Sequence, residues 1–167
     1  MGGRGGKENN SMSAKKTTIR KIKPDENLQL TCNEYSFFYR LLLLCESTKR
    51  KPKGYHYDNR ELQNFIKEKK INLPHNPTSK EWEGISQESK PNEIQFKNKG
   101  AVCSSLFGHL RDAFAHGYLE KDPTTNVLHF QNYDPKAKNM CVMDGRMTFD
   151  NLNELITKML NTKTKKQ

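Results

Sequence analysis

The chain predicts a mostly α-helical fold that closes with a β-hairpin and a terminal helix. Three observations carry this. Apolar residues recur at spacings of three and four in segments beginning near Asn33, Asp58 and Phe96. Two short runs, Val127-Leu128-His129-Phe130 and Met140-Cys141-Val142-Met143, then change the period and flank a turn-rich stretch. Helical spacing returns in Leu152, Leu155, Ile156, Met159 and Leu160. At 167 residues the chain has one domain's length. That is enough to remove roughly two-thirds of the unfolded surface from water.

The first helix opens at Asn33, a suitable N-cap, with Glu34 and Ser36 in its first turn. Phe37, Phe38, Leu41, Leu42, Leu44 and Cys45 cover more than one face, so this helix is expected to be central and to run to about Ser47. Lys49 to Gly54 is a basic turn broken by Pro52 and Gly54. A second helix is expected from Asp58, its cap, to Lys70, with Leu62, Phe65 and Ile66 turned inward. Residues 72–93 read as a long loop, punctuated by Pro74, Pro77, Gly84 and Pro91 and anchored to the core by Trp82. A third helix is expected from about Phe96 to His116, stopped by Gly117. The hairpin connection falls between Asn132 and Asn139. Asp144-Gly145 marks a turn, Arg146 to Phe149 extends the sheet, and Asp150 caps the last helix.

Hydrophobic residues make up only 33% of the chain, below the ~45% of ordinary globular domains. Part of it is therefore expected not to pack. The net charge is +10, and its placement decides its meaning. Residues 1–23 carry seven basic side chains (Arg4, Lys7, Lys15, Lys16, Arg20, Lys21, Lys23) against Glu8 alone. Residues 157–167 carry Lys158, Lys163, Lys165 and Lys166 and no acid. The two ends account for the whole excess, and residues 24–156 are formally neutral. The expected organisation is a flexible basic tail over 1–23, one domain over 24–160 and a basic tail over 161–167. The tails either stay solvated or touch RNA weakly.

Several classes are excluded by what the chain lacks. The longest apolar run, Leu41 to Cys45, is far short of the roughly 18 residues of a membrane span. The charged start has no apolar stretch of a secretory signal, so a cytoplasmic protein with no membrane partner is expected. Cys32, Cys45, Cys103 and Cys141 lie far apart with no C-x-x-C, as for reduced thiols. No His, Cys and carboxylate cluster has metal-ligand spacing, so no metal or other cofactor is expected. Gly2 to Gly6 has no strand before it and no helix after it, and is not a phosphate loop.

The third helix carries the chemistry. At about 100° per residue, Val102, Cys103, Leu106, Phe107, Leu110, Ala113 and Phe114 share one broad arc, the core side. The other arc holds Ala101, Ser104, Ser105, Gly108, Arg111, Asp112, Ala115 and His116. It is polar, small and poor in lysine. Ala101, Gly108 and Ala115 repeat every seven residues, with Ser104 and Ser105 between, and such spacing lets two helix backbones approach. The arc reads as a dimer seam. Asp112 and His116 are four apart and share a face, so the carboxylate can hydrogen-bond the imidazole and fix its tautomer. Arg111 lies about 140° around the helix from His116 by the same arithmetic. One helix does not aim both at one spot, whereas two copies across a twofold seam can.

Arg111-Asp112-Ala113-Phe114-Ala115-His116 resembles the signature of the HEPN superfamily (higher eukaryotes and prokaryotes nucleotide-binding). That signature is Arg, a polar residue, three further residues and His, near the end of a long helix. Gly117, the hairpin and the terminal helix make residues 106–160 similar to small bacterial and plasmid-borne HEPN proteins. The resemblance implies a helical bundle that dimerises through the motif helix and, in active members, a metal-independent endoribonuclease. Arg111 would then hold the scissile phosphate, His116 would act as acid and base for 2′-hydroxyl attack, and Asp112 would orient His116 or the partner copy's arginine. The products would carry a 2′,3′-cyclic phosphate and a 5′-hydroxyl. RNA would be the substrate, a toxin or phage-defence role the setting, and an antitoxin or regulatory protein the further partner. The alternative is a catalytically inactive dimeric HEPN module that binds or interacts.

Two residues near the motif are candidate substrate contacts. His109 sits seven residues before His116 on the polar edge of the helix, where a seam or surface role competes with substrate contact. Tyr118 could stack on a base, as could Tyr133, against the plainer reading of half-buried packing. Tyr55-His56-Tyr57 is an aromatic loop cluster of the same kind.

Overall fold

The computed structural model describes residues 19–49, 52–76, 83–137 and 140–163. Trp82 lies outside them. The fold is α/β, which corrects the mostly α expectation. Among the described residues four helices, α1 (Cys32–Ser47), α2 (Arg60–Glu68), α3 (Val102–Ala115) and α4 (Phe149–Asn161), cover one face of a sheet. Its strands are β1 (His75–Asn76), β2 (Glu93–Lys97), β3 (Leu119–Lys121), β4 (Val127–Asp134) and β5 (Met140–Thr148), in the order β1-β2-β5-β4-β3. β1 pairs with β2 in parallel, and the other pairs are antiparallel.

The expected hairpin is the centre of this sheet and not an appendage. β2 adds to one side of it and β3 to the other. Glu93-Ile94-Gln95-Phe96-Lys97 alternates with period two, so Ile94 and Phe96 reach the core while their neighbours face out. Phe96 thus belongs to a strand, and α3 begins six residues later. β3 has three residues, too few to show a period in sequence.

Caps account for the other displaced boundaries. Thr31, not Asn33, caps α1, in a capping box with Glu34. Asn59 accepts from the Glu61 and Leu62 amides at the start of α2, where Asp58 was expected to act. Thr148 caps α4 in place of Asp150. Gly117 takes φ 68° after α3, as a C′ glycine does, with Pro24 packed against it.

Asp144-Gly145 is no turn; both residues lie inside β5. Gly145 pairs with Phe130, and a Cβ there would fall 2.3 Å from the Phe130 ring. The glycine exists to admit that ring. Phe130 then packs with Phe38, Phe107, Leu110, Met143, Leu155 and Met159 in one core between helices and sheet.

The opposite face of the sheet is buried and polar. Asp144 accepts from His129 Nε2 at 2.8 Å, Gln131 Nε2 at 2.9 Å and the Ser89 amide at 2.6 Å. Burial alone would raise the Asp144 pKa, and these hydrogen bonds outweigh it, holding the carboxyl below its ordinary range. Part of the expected tail is built into this face. Ile22 is fully buried, its amide donates to Gln131 Oε1 at 2.7 Å, and Arg20 makes a two-pronged ion pair with Glu120.

Candidate active site

α3 is held at both ends and across its middle. Ala101 offers no capping side chain, and Ser105 instead ties the first turn to the segment before it. Its Oγ accepts from the Lys99 amide at 2.8 Å and lies 3.1 Å from Asn98 Oδ1. His109, midway along, is buried between helix and sheet. Its Nε2 is 2.8 Å from the Lys97 carbonyl oxygen, and its Nδ1 is 2.9 Å from Asn132 Nδ2. A carbonyl only accepts, so Nε2 carries the proton and Nδ1 accepts from Asn132. Burial pushes the His109 pKa down to about 4, so the ring is neutral at pH 7. This corrects its placement on a polar edge: both nitrogens are spent on anchoring α3 to β2 and β4.

The small-residue arc of α3 floors a cleft of about 400 Å³. Lys53, Lys99, Arg111 and Asp112 stand around it, with Ala101, Ser104, Gly108 and Cys45 among its apolar and small surfaces. Burial raises the Cys45 thiol to about 11, so no thiolate faces the cleft at pH 7. The Arg111 side chain is only 11% exposed. Its Nη1 donates to Asp112 Oδ1 at 2.6 Å, and its Nη2 donates to Glu46 at the last turn of α1. Burial disfavours the charged guanidinium, but the two carboxylates outweigh it and raise the Arg111 pKa above its ordinary value. Arg111 Nε is buried with no hydrogen-bond partner among the described residues.

The other end of the motif differs. His116 is the exposed C-cap residue of α3, and its ring lies 5.8 Å from that of Tyr118. Tyr118 meets Tyr133 edge-on at 5.2 Å, and Lys21 Nζ sits over both rings at 5.1 and 4.6 Å. Asp112 turns its Oδ1 to Arg111, so the hydrogen bond read from its four-residue spacing to His116 is replaced by one to its sequence neighbour.

A family sequence model described as HEPN pEK499 p136 matches residues 7–167. The chain belongs to this HEPN family. No curated protein and no solved structure matches it.

The residues expected to form the HEPN site thus fall into separate groups. Arg111 and Asp112 share the cleft; His116 and Tyr118 share the far end of α3; His109 is internal. The seam candidates also divide. Ala101 and Ala115 are exposed and Gly108 borders open space, whereas Ser105 is buried and Ser104 donates its hydroxyl to the Pro52 carbonyl. Sequence reasoning missed Glu46, Lys53 and Lys99. Lys53 lay in the recognised basic turn, but nothing local marks Glu46, which reaches Arg111 only through the packing of α1 on α3. The aromatic loop cluster is split as well: Tyr55 packs edge-on against Phe107 and Tyr57 against His75. Among the described residues no three His, Cys, Asp or Glu side chains could hold a metal ion, and no helix is long and apolar enough to cross a membrane.

Proposed function

We propose that this HEPN protein is a metal-independent endoribonuclease whose site is completed by a second copy of the chain. The divergence of Arg111 and His116 carries the reading. Arg111 lines a cleft on one side of α3, and His116 lies exposed at its end beside Tyr118. A twofold axis near Gly108 and Asp112 would turn Arg111 of one copy toward His116 of the other. Open space beside Gly108 supports such an approach.

The chemistry follows from the two groups. Arg111 holds a phosphodiester through its permanent charge and balances the charge that develops in the transition state. His116 takes the proton of the ribose 2′-hydroxyl as that oxygen bonds to phosphorus. The bond from phosphorus to the 5′-oxygen breaks, and the imidazolium returns the proton to the departing oxygen. A 2′,3′-cyclic phosphate and a 5′-hydroxyl result. Such an activity suits a toxin or phage-defence effector with an antitoxin or regulatory protein to restrain it.

One observation favours the second reading, a dimeric binding module without catalysis. Glu46 and Asp112 already occupy two donors of Arg111, so a phosphate must compete with carboxylates. Mixed-sequence RNA incubated with the wild type and His116→Ala in EDTA decides between the two. Cleavage by the wild type alone, leaving cyclic phosphate ends, is the expected outcome. Equal cleavage by both proteins would remove His116 from the mechanism, and none by folded dimer would leave the binding module.

A further inference from the structure

The arc of α3 that reads in sequence as a seam for a second helix is, in its N-terminal half, a cationic groove. Lys99 stands just before α3, Lys53 stands beside it on the segment after α1, and Arg111 lies further along the helix. Among the described residues Asp112 is the one carboxylate lining the cleft, and His109 in its wall is neutral. Charge therefore tells which occupant fits. A twofold contact lays a patch on its own copy. Arg111 is already balanced by Glu46 and Asp112, but the contact would press Lys53 and Lys99 against the same two lysines, and like charges brought together across an interface are costly. Sterics agree. Pro52 lies over Ser104, accepting a hydrogen bond from its hydroxyl, and Ser105 is buried, so the first turn of α3 is closed to a second backbone.

We infer that this groove holds the single-stranded RNA flanking the cleaved phosphodiester, and that the dimer contact is confined to α3 from Gly108 onward. The inference rests on the ribonuclease reading and adds where the substrate runs. Residues 101 and 111 are about 15 Å apart along the helix axis at 1.5 Å per residue. No single phosphate touches both ends of the groove. Lys53 and Lys99 grip a phosphate removed from the one at Arg111, while Ala101 and Ser104 leave room for the strand between. Duplex RNA is too thick for a cleft of about 400 Å³, so the groove selects single strands.

The test uses the full chain and a mixed-sequence 2′-O-methyl octanucleotide, which has no attacking hydroxyl and is not cleaved. Its binding is followed by fluorescence anisotropy against KCl concentration. Lys53→Gln/Lys99→Gln, at two exposed positions, is expected to bind about tenfold more weakly. Its log–log salt slope should be shallower by about 1.4, the value for two lost single-strand phosphate contacts at about 0.7 each. Lys53→Arg/Lys99→Arg should keep the wild-type slope. An unchanged slope in the glutamine variant overturns the groove, and the cleavage assay then reports separately on the ribonuclease reading. Wild type that cleaves nothing but binds with the lysine-dependent slope would sink the catalytic reading and leave an RNA-binding groove. Sedimentation supplies the last arm: weaker self-association of the glutamine variant with an unchanged salt slope assigns the groove to a second copy and overturns the inference.

Discussion

Arg111 and His116 are separated by a little over one helical turn, yet their surroundings have little in common. Arg111 is mostly enclosed, pinned by carboxylates from two helices, and committed to one geometry before any ligand arrives. His116 stands exposed at the helix end, against one side of Tyr118. In the proposed reaction, one chain thus holds the arginine in a fixed setting and leaves the histidine open. That is the pattern expected if a second copy supplies what is missing.

The largest expected effects separate these halves. Arg111→Ala and His116→Ala should each lower RNA cleavage by at least about 100-fold, as loss of a charge clamp or an acid–base group does. Their stabilities should differ. Removing Arg111 strands Glu46 and Asp112 beside each other and should cost about 1–3 kcal/mol, the worth of a hydrogen bond to a charged group. Removing the exposed His116 should stay within about 0.5 kcal/mol. Urea denaturation reads both, and equal stability losses would show that the two environments do not differ as described.

Two glycines sharpen the contrast between closed and open surroundings. Gly145→Ala drives a methyl group into the Phe130 ring and should cost about 1–3 kcal/mol. Gly108→Ala meets nothing within 4 Å and should stabilise the monomer, by up to about 1 kcal/mol of helix propensity. Gly108→Leu also fits one chain but should split the proposed dimer, which sedimentation would show. A dimer that survives it would move the contact off this helix.

The last effect concerns the anchor of α3 and shows as a dependence on pH. His109 has a folded pKa of about 4, below the roughly 6.5 of an unfolded histidine. The unfolded chain therefore binds more protons between those values. The stability tied to neutral His109 is complete above about pH 6.5 and falls as pH drops toward 4. His109→Gln should flatten that slope in thermal melts taken from pH 7 to pH 4. An unchanged slope would place the titrating group elsewhere.

What the sequence made legible, it did through periodicity. α1, α2, α4 and the hairpin pair stand where apolar spacing put them, α3 starts later than expected at Val102, and Gly117 stops it as its backbone freedom requires. The sheet was underestimated because β3 has only three residues and because β2, five residues long, pairs with β5 far along the chain. Gly145 looked like a turn because its reason, the Phe130 ring, lies across the sheet. The motif residues were legible by spacing, but their partners were not. Asp112 faces Arg111 instead of His116, His109 is internal, and Glu46 joins only after α1 packs on α3. Spacing along a helix sets which residues can meet. Packing between elements sets which ones do.

Mixing the two inactive variants tests the composite site most directly. Arg111→Ala and His116→Ala protomers, combined and allowed to exchange, form mixed dimers in which one of the two sites keeps both groups. RNA cleavage should return to roughly a quarter of the wild-type level at equal mixing, since about half the dimers are mixed and each regains one of its two sites. Cleavage that stays at the level of the separate variants, in a mixture shown to contain mixed dimers, would contradict a site shared between two copies.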